Sequence, residues 1–241
     1  MNQTSDLLQS VFGFDRFRPG QEAIVDAVNA GEDVLAIMPT GGGKSLCFQL
    51  PALCRDGVTV VISPRSALMR EKVRALREAG VEAGSLTSGN TEEETEEVFQ
   101  AIDEGRLKLL YMAPERLANG GAVQLLRRIN VTLLAVDEAH CVSQWGHDFR
   151  PDYLKIGALR KQLGNVQIAA FTATADAETR FEIGKRLFDG ESPTTFLEGF
   201  DRPNISLAFQ PKDQPRKQLT EFVAARRGQS GIVYCSSRNK T

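Results

Sequence analysis

Apolar residues concentrate in five short runs: Val34 to Met38, Val58 to Ile62, Leu107 to Met112, Val131 to Val136 and Val166 to Phe171. Each run is apolar almost throughout, where a half-exposed strand would alternate. Unbroken runs of this length mark strands buried on both faces of a parallel sheet. Between them, Ser66 to Ala79, Thr91 to Glu104 and Pro151 to Leu163 carry apolar residues at helical spacing. Alternation of strand and helix predicts an α/β fold with a doubly wound, mostly parallel sheet, and such sheets bind ligands at the carboxyl ends of their strands. The stretch from Phe200 to Arg216, with Pro203, Pro211 and Pro215, reads as a connector. After it, Gln218 to Arg227 has a helical pattern and Gly231 to Cys235 reads as one more apolar strand.

Composition narrows the function classes. Hydrophobic residues at 41% suffice for an ordinary packed core, and a formal net charge of −2 argues against a uniformly basic nucleic-acid coat. A nucleic-acid site here would be a local patch. Arg55, Arg65, Arg70, Lys72, Arg74 and Arg77 form a basic stretch, and Glu92, Glu93, Glu94, Glu96 and Glu97 an acidic one, read as a solvated helix face. The four cysteines (Cys47, Cys54, Cys141 and Cys235) contain no C-x2-C pair, so no structural zinc site is expected. Three lie in or beside apolar runs, as reduced, buried thiols of a cytoplasmic protein would. The N-terminus has no signal-peptide pattern, and no apolar stretch approaches the roughly 18 residues needed to span a bilayer.

The first strand runs into Met38-Pro-Thr-Gly-Gly-Gly-Lys-Ser45, and a helix is predicted to open near Lys44. Gly41, Gly42 and Gly43 let the backbone turn tightly and point N–H groups at phosphate oxygens, with Thr40 at the turn. Lys44 is the candidate for the β- and γ-phosphates of ATP, and Ser45 for a ligand to Mg2+. The general phosphate-loop pattern begins with Gly, where this chain has Met38; in this it resembles the phosphate loops of helicases. A glycine-rich turn that merely joins strand to helix is the structural alternative.

Another predicted strand ends in Asp137-Glu-Ala-His140. A carboxylate pair at a strand end, in a chain with a phosphate loop, suits Asp137 to hold Mg2+ through water and Glu138 to orient and deprotonate the attacking water. Capping of a following helix is the plainer reading of such a pair. Thr172 and Thr174 end the next strand and are candidates to hydrogen-bond His140 and sense the nucleotide, β-propensity being the alternative. Both histidines and the sole tryptophan then fall between His140 and His147. Trp145 and Phe149 offer flat faces for stacking bases, with His147 and Arg150 for phosphate or carboxylate; a buried core cluster is the competing reading.

Taken together, these segments resemble the RecQ family of DNA helicases. Phe12-Gly-Phe-Asp-Arg-Phe-Arg-Pro-Gly-Gln21 looks like its adenine motif, which implies that Phe14 and Arg18 sandwich the base and Gln21 reads its edge. Asp137 to Pro151 matches a DEAH box fused to the family's aromatic-rich loop, which couples DNA binding to ATP hydrolysis. Tyr111-Met-Ala-Pro-Glu-Arg-Leu117 resembles a DNA-contacting segment, implying roles for Pro114 and Arg116. Phe200-Asp-Arg-Pro-Asn204 resembles an inter-lobe signature, implying roles for Arg202 and Asn204. The likeness implies a RecA-like P-loop NTPase lobe over residues 1–199, with a connector and the start of a second RecA-like lobe over 200–241. Its expected cofactors are ATP and Mg2+. The expected activity is 3′-to-5′ unwinding of DNA, single-stranded and partly duplex, in recombination and repair. Ser63-Pro-Arg-Ser-Ala-Leu-Met-Arg-Glu-Lys-Val73 departs from the family pattern: Arg65 and Ser66 replace two apolar residues, and Glu71-Lys72 replaces Asp-Gln. A small-molecule kinase would need neither the DEAH box nor the aromatic-rich loop, and an RNA helicase would lack the loop and the inter-lobe segment. Because the chain stops at Thr241, before the second lobe's arginine finger and the family's zinc-binding and winged-helix modules, this polypeptide by itself is expected to bind ATP and DNA but turn over slowly.

Overall fold

The computed structural model describes residues 3–118, 120–145, 148–199 and 205–235. The chain divides into two units, Met1–Phe200 and Asp201–Thr241. In the first, seven strands form one sheet: β1 (Val34–Ile37), β2 (Val58–Ile62), β3 (Ala83–Leu86), β4 (Leu109–Met112), β5 (Val131–Val136), β6 (Gln167–Thr172) and β7 (Thr194–Leu197). Their order across the sheet is β3-β4-β2-β5-β6-β1-β7, and every pairing is parallel. All seven carboxyl ends therefore emerge along one edge.

Successive strand residues feed opposite layers, which is why the inner strands are apolar at most positions. Leu35, Val60, Ile62, Leu110, Leu134, Val136 and Ile168 face one core, which Val98, Leu126, Ile156 and Ile183 complete. Those four come from α5 (Glu92–Asp103), α6 (Gly120–Arg128), α7 (Lys155–Gln162) and α8 (Ala177–Leu187). Val34, Ala36, Val61, Tyr111, Leu133, Ala169 and Phe171 face the other core with Leu8, Ile24, Phe48 and Met69. These last belong to α1 (Gln3–Ser10), α2 (Gln21–Asn29), α3 (Leu46–Cys54) and α4 (Ser66–Glu78). The first four helices thus cover one face and the next four the other, the doubly wound arrangement.

Local chemistry sets several boundaries. Thr91 and Glu94 form a capping box at the start of α5: the Thr91 hydroxyl accepts from the Glu94 N–H and the Glu94 carboxylate accepts from the Thr91 N–H. That box uses one glutamate of the acidic run; Glu97 meets Arg77 at 3.0 Å, and the rest are exposed. The segment read as one helix from Pro151 to Leu163 is a 3-10 turn, Pro151–Leu154, followed by α7. Arg55 is no part of a solvated basic face. Its guanidinium donates to the Val28 carbonyl at 2.7 Å and to Gln167 Oε1 at 2.8 Å, tying the amino ends of the layers together.

In the second unit the only regular element among the described residues is α9 (Pro215–Ala224), with Pro215 at its first turn, and no residue of 205–235 is buried. Residues 231–235, expected to be a strand, have no regular structure. Among the described residues they have no bridge partner, and without a neighbour an apolar run cannot share the ladder hydrogen bonds that define a strand. No helix among the described residues is long and apolar enough to cross a membrane.

Candidate nucleotide-binding and coupling site

Because the sheet is parallel, every segment singled out from the sequence in the first unit and following a strand lies at the same edge. The phosphate loop follows β1, Ser63 follows β2, Pro114 and Arg116 follow β4, Asp137 follows β5, and Thr174 follows β6. The ladder extends past the strand ends: the Met38 N–H donates to the Thr172 carbonyl at 3.0 Å and the Asp137 N–H to the Ile62 carbonyl at 2.9 Å.

The loop from Met38 to Ser45 turns through Gly41 and Gly43, both at positive φ (82° and 81°). At Gly43 a Cβ would also meet the Gln21 amide, which would have to shift off its hydrogen bonds to the loop. Helix α3 begins at Leu46, two residues later than expected, with the Ser45 carbonyl accepting from the Gln49 N–H at 3.0 Å. Lys44 folds back over its own loop: its Nζ donates to the Met38 carbonyl at 3.1 Å and the Pro39 carbonyl at 3.4 Å. Burial lowers its pKa, opposed by the nearby charges of Glu138 and Asp137. That opposition brings the carboxylate pair into electrostatic reach of the loop lysine. Thr40 and Gly41 are exposed, and Gly42 and Ser45 half-buried.

Gln21 was expected to meet a nucleobase edge. In the structure it is 2% exposed and spent on the chain itself. Its Oε1 accepts from the Arg18 N–H at 2.9 Å, and its Nε2 donates to the Gly42 and Gly43 carbonyls at 3.2 and 3.1 Å. Arg18 donates to the Gly41 carbonyl. Phe14, by contrast, is 47% exposed. The segment carrying Phe14, Arg18 and Gln21 is thereby fastened to the phosphate loop, an aromatic face and a guanidinium beside it.

Asp137 is held from four directions. Its Oδ1 accepts from the Glu138 N–H at 3.1 Å, and its Oδ2 accepts from Ser63 Oγ at 3.2 Å and Lys72 Nζ at 3.4 Å. The Tyr153 hydroxyl donates to its carbonyl at 2.9 Å. Ser63, Lys72 and Tyr153 were not among the residues expected from sequence. Ser63 could have been found from its place at the end of the strand beside β5; Tyr153 carried no signal. Glu138 sits in the left-handed region at φ 51°, and its Oε2 lies 3.6 Å from His140 Nδ1. Asp137 and Ser45 offer hard oxygen donors, the set that suits Mg2+.

The Thr172 hydroxyl joins His140 to Thr174. It lies 3.0 Å from the Thr174 carbonyl and accepts from the Thr174 N–H at 3.3 Å. The same hydroxyl lies 2.9 Å from His140 Nδ1, a hydrogen bond whose donor is set by the imidazole tautomer. Thr174 thus joins His140 only through Thr172, and its side chain is exposed.

Past His140 the chain makes a 3-10 turn over Ala139–Val142 and opens into the aromatic-rich loop. Trp145 is 74% exposed, which rules out a core role for it; Phe149 is half-buried. Arg150 links three strand ends. Its guanidinium lies 3.4 Å from the Pro64 carbonyl, 3.9 Å from Glu115 and 3.5 Å from Asp148. Arg116 reaches the Thr87 carbonyl at 3.5 Å, and Pro114 is buried at the head of its 3-10 turn. His140, Cys141 and Asp148 bring ligand-type atoms within 4.8 Å of one another. Burial pushes the Cys141 thiol up to about 12 and Asp148 faces Arg150, so the thiol is protonated and the carboxylate engaged. His147, Arg202 and Asn204 lie outside the described residues.

A family model described as DEAD/DEAH box helicase matches residues 18–182. The chain is 47% identical to a Haemophilus influenzae protein named ATP-dependent DNA helicase RecQ, over 97% of this chain and 38% of that protein. It is 41% identical to the Bacillus subtilis protein of the same name, over 100% of this chain and 41% of the relative. The chain therefore spans about two-fifths of the length of these relatives. Among solved structures it is similar to the helicase MrfA, with a TM-score of 0.69 at 18% identity over 100% of this chain and 39% of that one. The Pyrococcus furiosus Hef helicase domain gives 0.61 at 21% identity, over 81% and 40%. Likenesses at that identity speak for the fold.

Proposed function

The chain belongs to the DEAD/DEAH box helicase family, and from that premise we propose that it is the ATP-binding motor part of a RecQ-type DNA helicase. The observation that carries the reading is the meeting of the glycine loop, Lys44 and the Asp137–Glu138 pair at one edge of a parallel sheet. In this reading Lys44 leaves its own carbonyls for the β- and γ-phosphates, and the loop N–H groups cradle them. Ser45 and Asp137 would hold Mg2+, whose bound charge neutralises the phosphates. Glu138 orients and deprotonates the attacking water. His140 stands between Glu138 and Thr172 and couples the carboxylate to the β6 end. Phe14 and Arg18 take the two faces of adenine, and Gln21 reads its edge only by giving up bonds to the loop.

The partner we infer is DNA, single-stranded at the site of grip. Trp145 offers an exposed stacking face, and Arg150 joins its loop to the segments after β2 and β4. Residues 1–199 would be one RecA-like lobe and 200–241 the start of another, contributing Arg202 and Asn204. Soluble, 3′-to-5′ DNA unwinding in repair belongs to the whole protein on this reading.

Lys44→Ala is the test. Without the cation aimed at the phosphates, the thermal stabilisation given by Mg2+ and a non-hydrolysable ATP analogue should vanish. A mutant that folds and keeps the full shift would sink the assignment.

A further inference from the structure

Lys72 projects from α4 to within 3.4 Å of Asp137 Oδ2, and the two side chains are 27% and 13% exposed. Beneath it lies the buried Phe48, whose ring centroid is 5.9 Å from Nζ. An apolar ring on one side and a carboxylate on another hold this ammonium group in one place, where a surface lysine would sweep freely. The pair lies within the carboxylate cluster: Asp137, Glu138 and Lys72 all act electrostatically on Lys44. Two lysines thus face two carboxylates, a set whose formal charges cancel.

We propose that Lys72 is a resident counterion of Asp137, which a divalent cation must displace from Oδ2 before the site can hold a metal–nucleotide complex. The inference rests on the reading of Asp137 as the magnesium carboxylate. Of the groups that Asp137 Oδ2 accepts from, the Ser63 hydroxyl is neutral and can stay beside a hydrated cation; the ammonium cannot, because two positive centres at that separation repel in a partly desolvated site. Displacement costs the ion pair and frees an ammonium beside the phosphates. Lys72 therefore raises the magnesium level at which the site fills, and keeps Asp137 and Glu138 from repelling each other while it is vacant of metal. It is a positioning residue, acting on the metal through Asp137.

The test titrates Mg2+ at fixed ATP analogue and reads the thermal shift of the full chain. Lys72→Gln should fill at about fivefold lower magnesium, the factor that removal of a partly exposed ion pair of about 1 kcal/mol gives. Lys72→Arg, which keeps the charge, should fill near the wild-type midpoint. An unchanged or higher midpoint in Lys72→Gln overturns the proposal, as does weaker analogue binding at saturating Mg2+, which would make Lys72 a phosphate ligand. A second measurement needs no variant. Acetylation of wild-type lysines, mapped by mass spectrometry, should show Lys72 labelled faster once MgCl2 alone is added; unchanged or slower labelling counts against displacement. Asp137→Asn separates the two levels of inference. If wild type lacks a magnesium-dependent shift, or Asp137→Asn retains it, the reading of Asp137 fails and the proposal falls with it; if that control behaves and Lys72→Gln does not, only the proposal fails.

Discussion

At the scale of single residues, the side chains around the phosphate loop are committed to one another before any ligand arrives. Gln21 makes three hydrogen bonds that join the segment before α2 to the loop, each worth about 1 kcal/mol net. Gln21→Ala should therefore lower stability by about 1–3 kcal/mol in denaturant melts and weaken ATP and CTP alike, since the loop itself loosens. A loss confined to ATP would mean that Gln21 reads the base directly. The thiols give a second residue-scale expectation. Burial raises Cys47 and Cys141 from 9.0 to about 12, while Cys235 is exposed. At pH 8 only Cys235 and the half-buried Cys54 should react with a thiol reagent under native conditions, with Cys47 and Cys141 appearing on denaturation. The sign for stability follows: the two thiols ionise in the unfolded chain above pH 9 but not in the folded one until about 12. Their contribution is whole below pH 9 and drains away above it, so the melting temperature should fall across that window. Lys44, the Asp137–Glu138 pair and the glycines could be read from the sequence because each carries its chemistry in its own side chain or lack of one. Lys72 could be seen only as a departure from a pattern, because its meaning depends on a carboxylate 65 positions away.

At the scale of elements, legibility tracked burial. Val58 to Ile62 and Val131 to Val136 are strands from end to end, as a run apolar almost throughout between two packed layers requires. β3 and β7 gave no such signal: Ala83-Gly-Ser-Leu86 has only short side chains at its centre, and Thr194-Thr-Phe-Leu197 is an edge strand exposed at three of four positions. The opposite error, residues 231–235, had the right residues and no neighbour. Helices hide a similar constraint in α7. Glycine within a helix ordinarily costs about 1 kcal/mol against alanine, so Gly157→Ala would be expected to stabilise. Here a Cβ at Gly157 would collide with the Arg186 carbonyl on α8. Backbone against backbone cannot yield without moving a helix, and the substitution should cost about 1–3 kcal/mol in chemical denaturation. A gain in stability would show that α7 and α8 are not packed at this closeness.

At the scale of the whole molecule, the two units differ in what protects them. The first buries both faces of its inner strands beneath the helices α1 to α8 of the described residues, and its sheet is hydrogen-bonded from β3 to β7. Between residues 205 and 235 nothing is buried: Leu207, Phe209, Ile232 and Tyr234 are 77%, 90%, 79% and 90% exposed. Protease cleavage needs a segment of about ten residues to enter the enzyme's cleft extended, and burial and hydrogen bonding are what prevent it. Chymotrypsin should accordingly cut first at Leu207, Phe209 or Tyr234, well before any aromatic of the first unit except Trp145 and Phe14. The surviving product should end near residue 207 and be stable for much longer. Its melting temperature should lie close to that of the intact chain, because residues without buried surface add little to the free energy of unfolding. It should also keep the magnesium-dependent response to an ATP analogue, since the loop, Asp137 and Glu138 all lie in the first unit. Initial cleavage inside residues 30–140, or a product that melts far below the intact chain, would mean that the second unit stabilises the first in a way its exposure does not reveal.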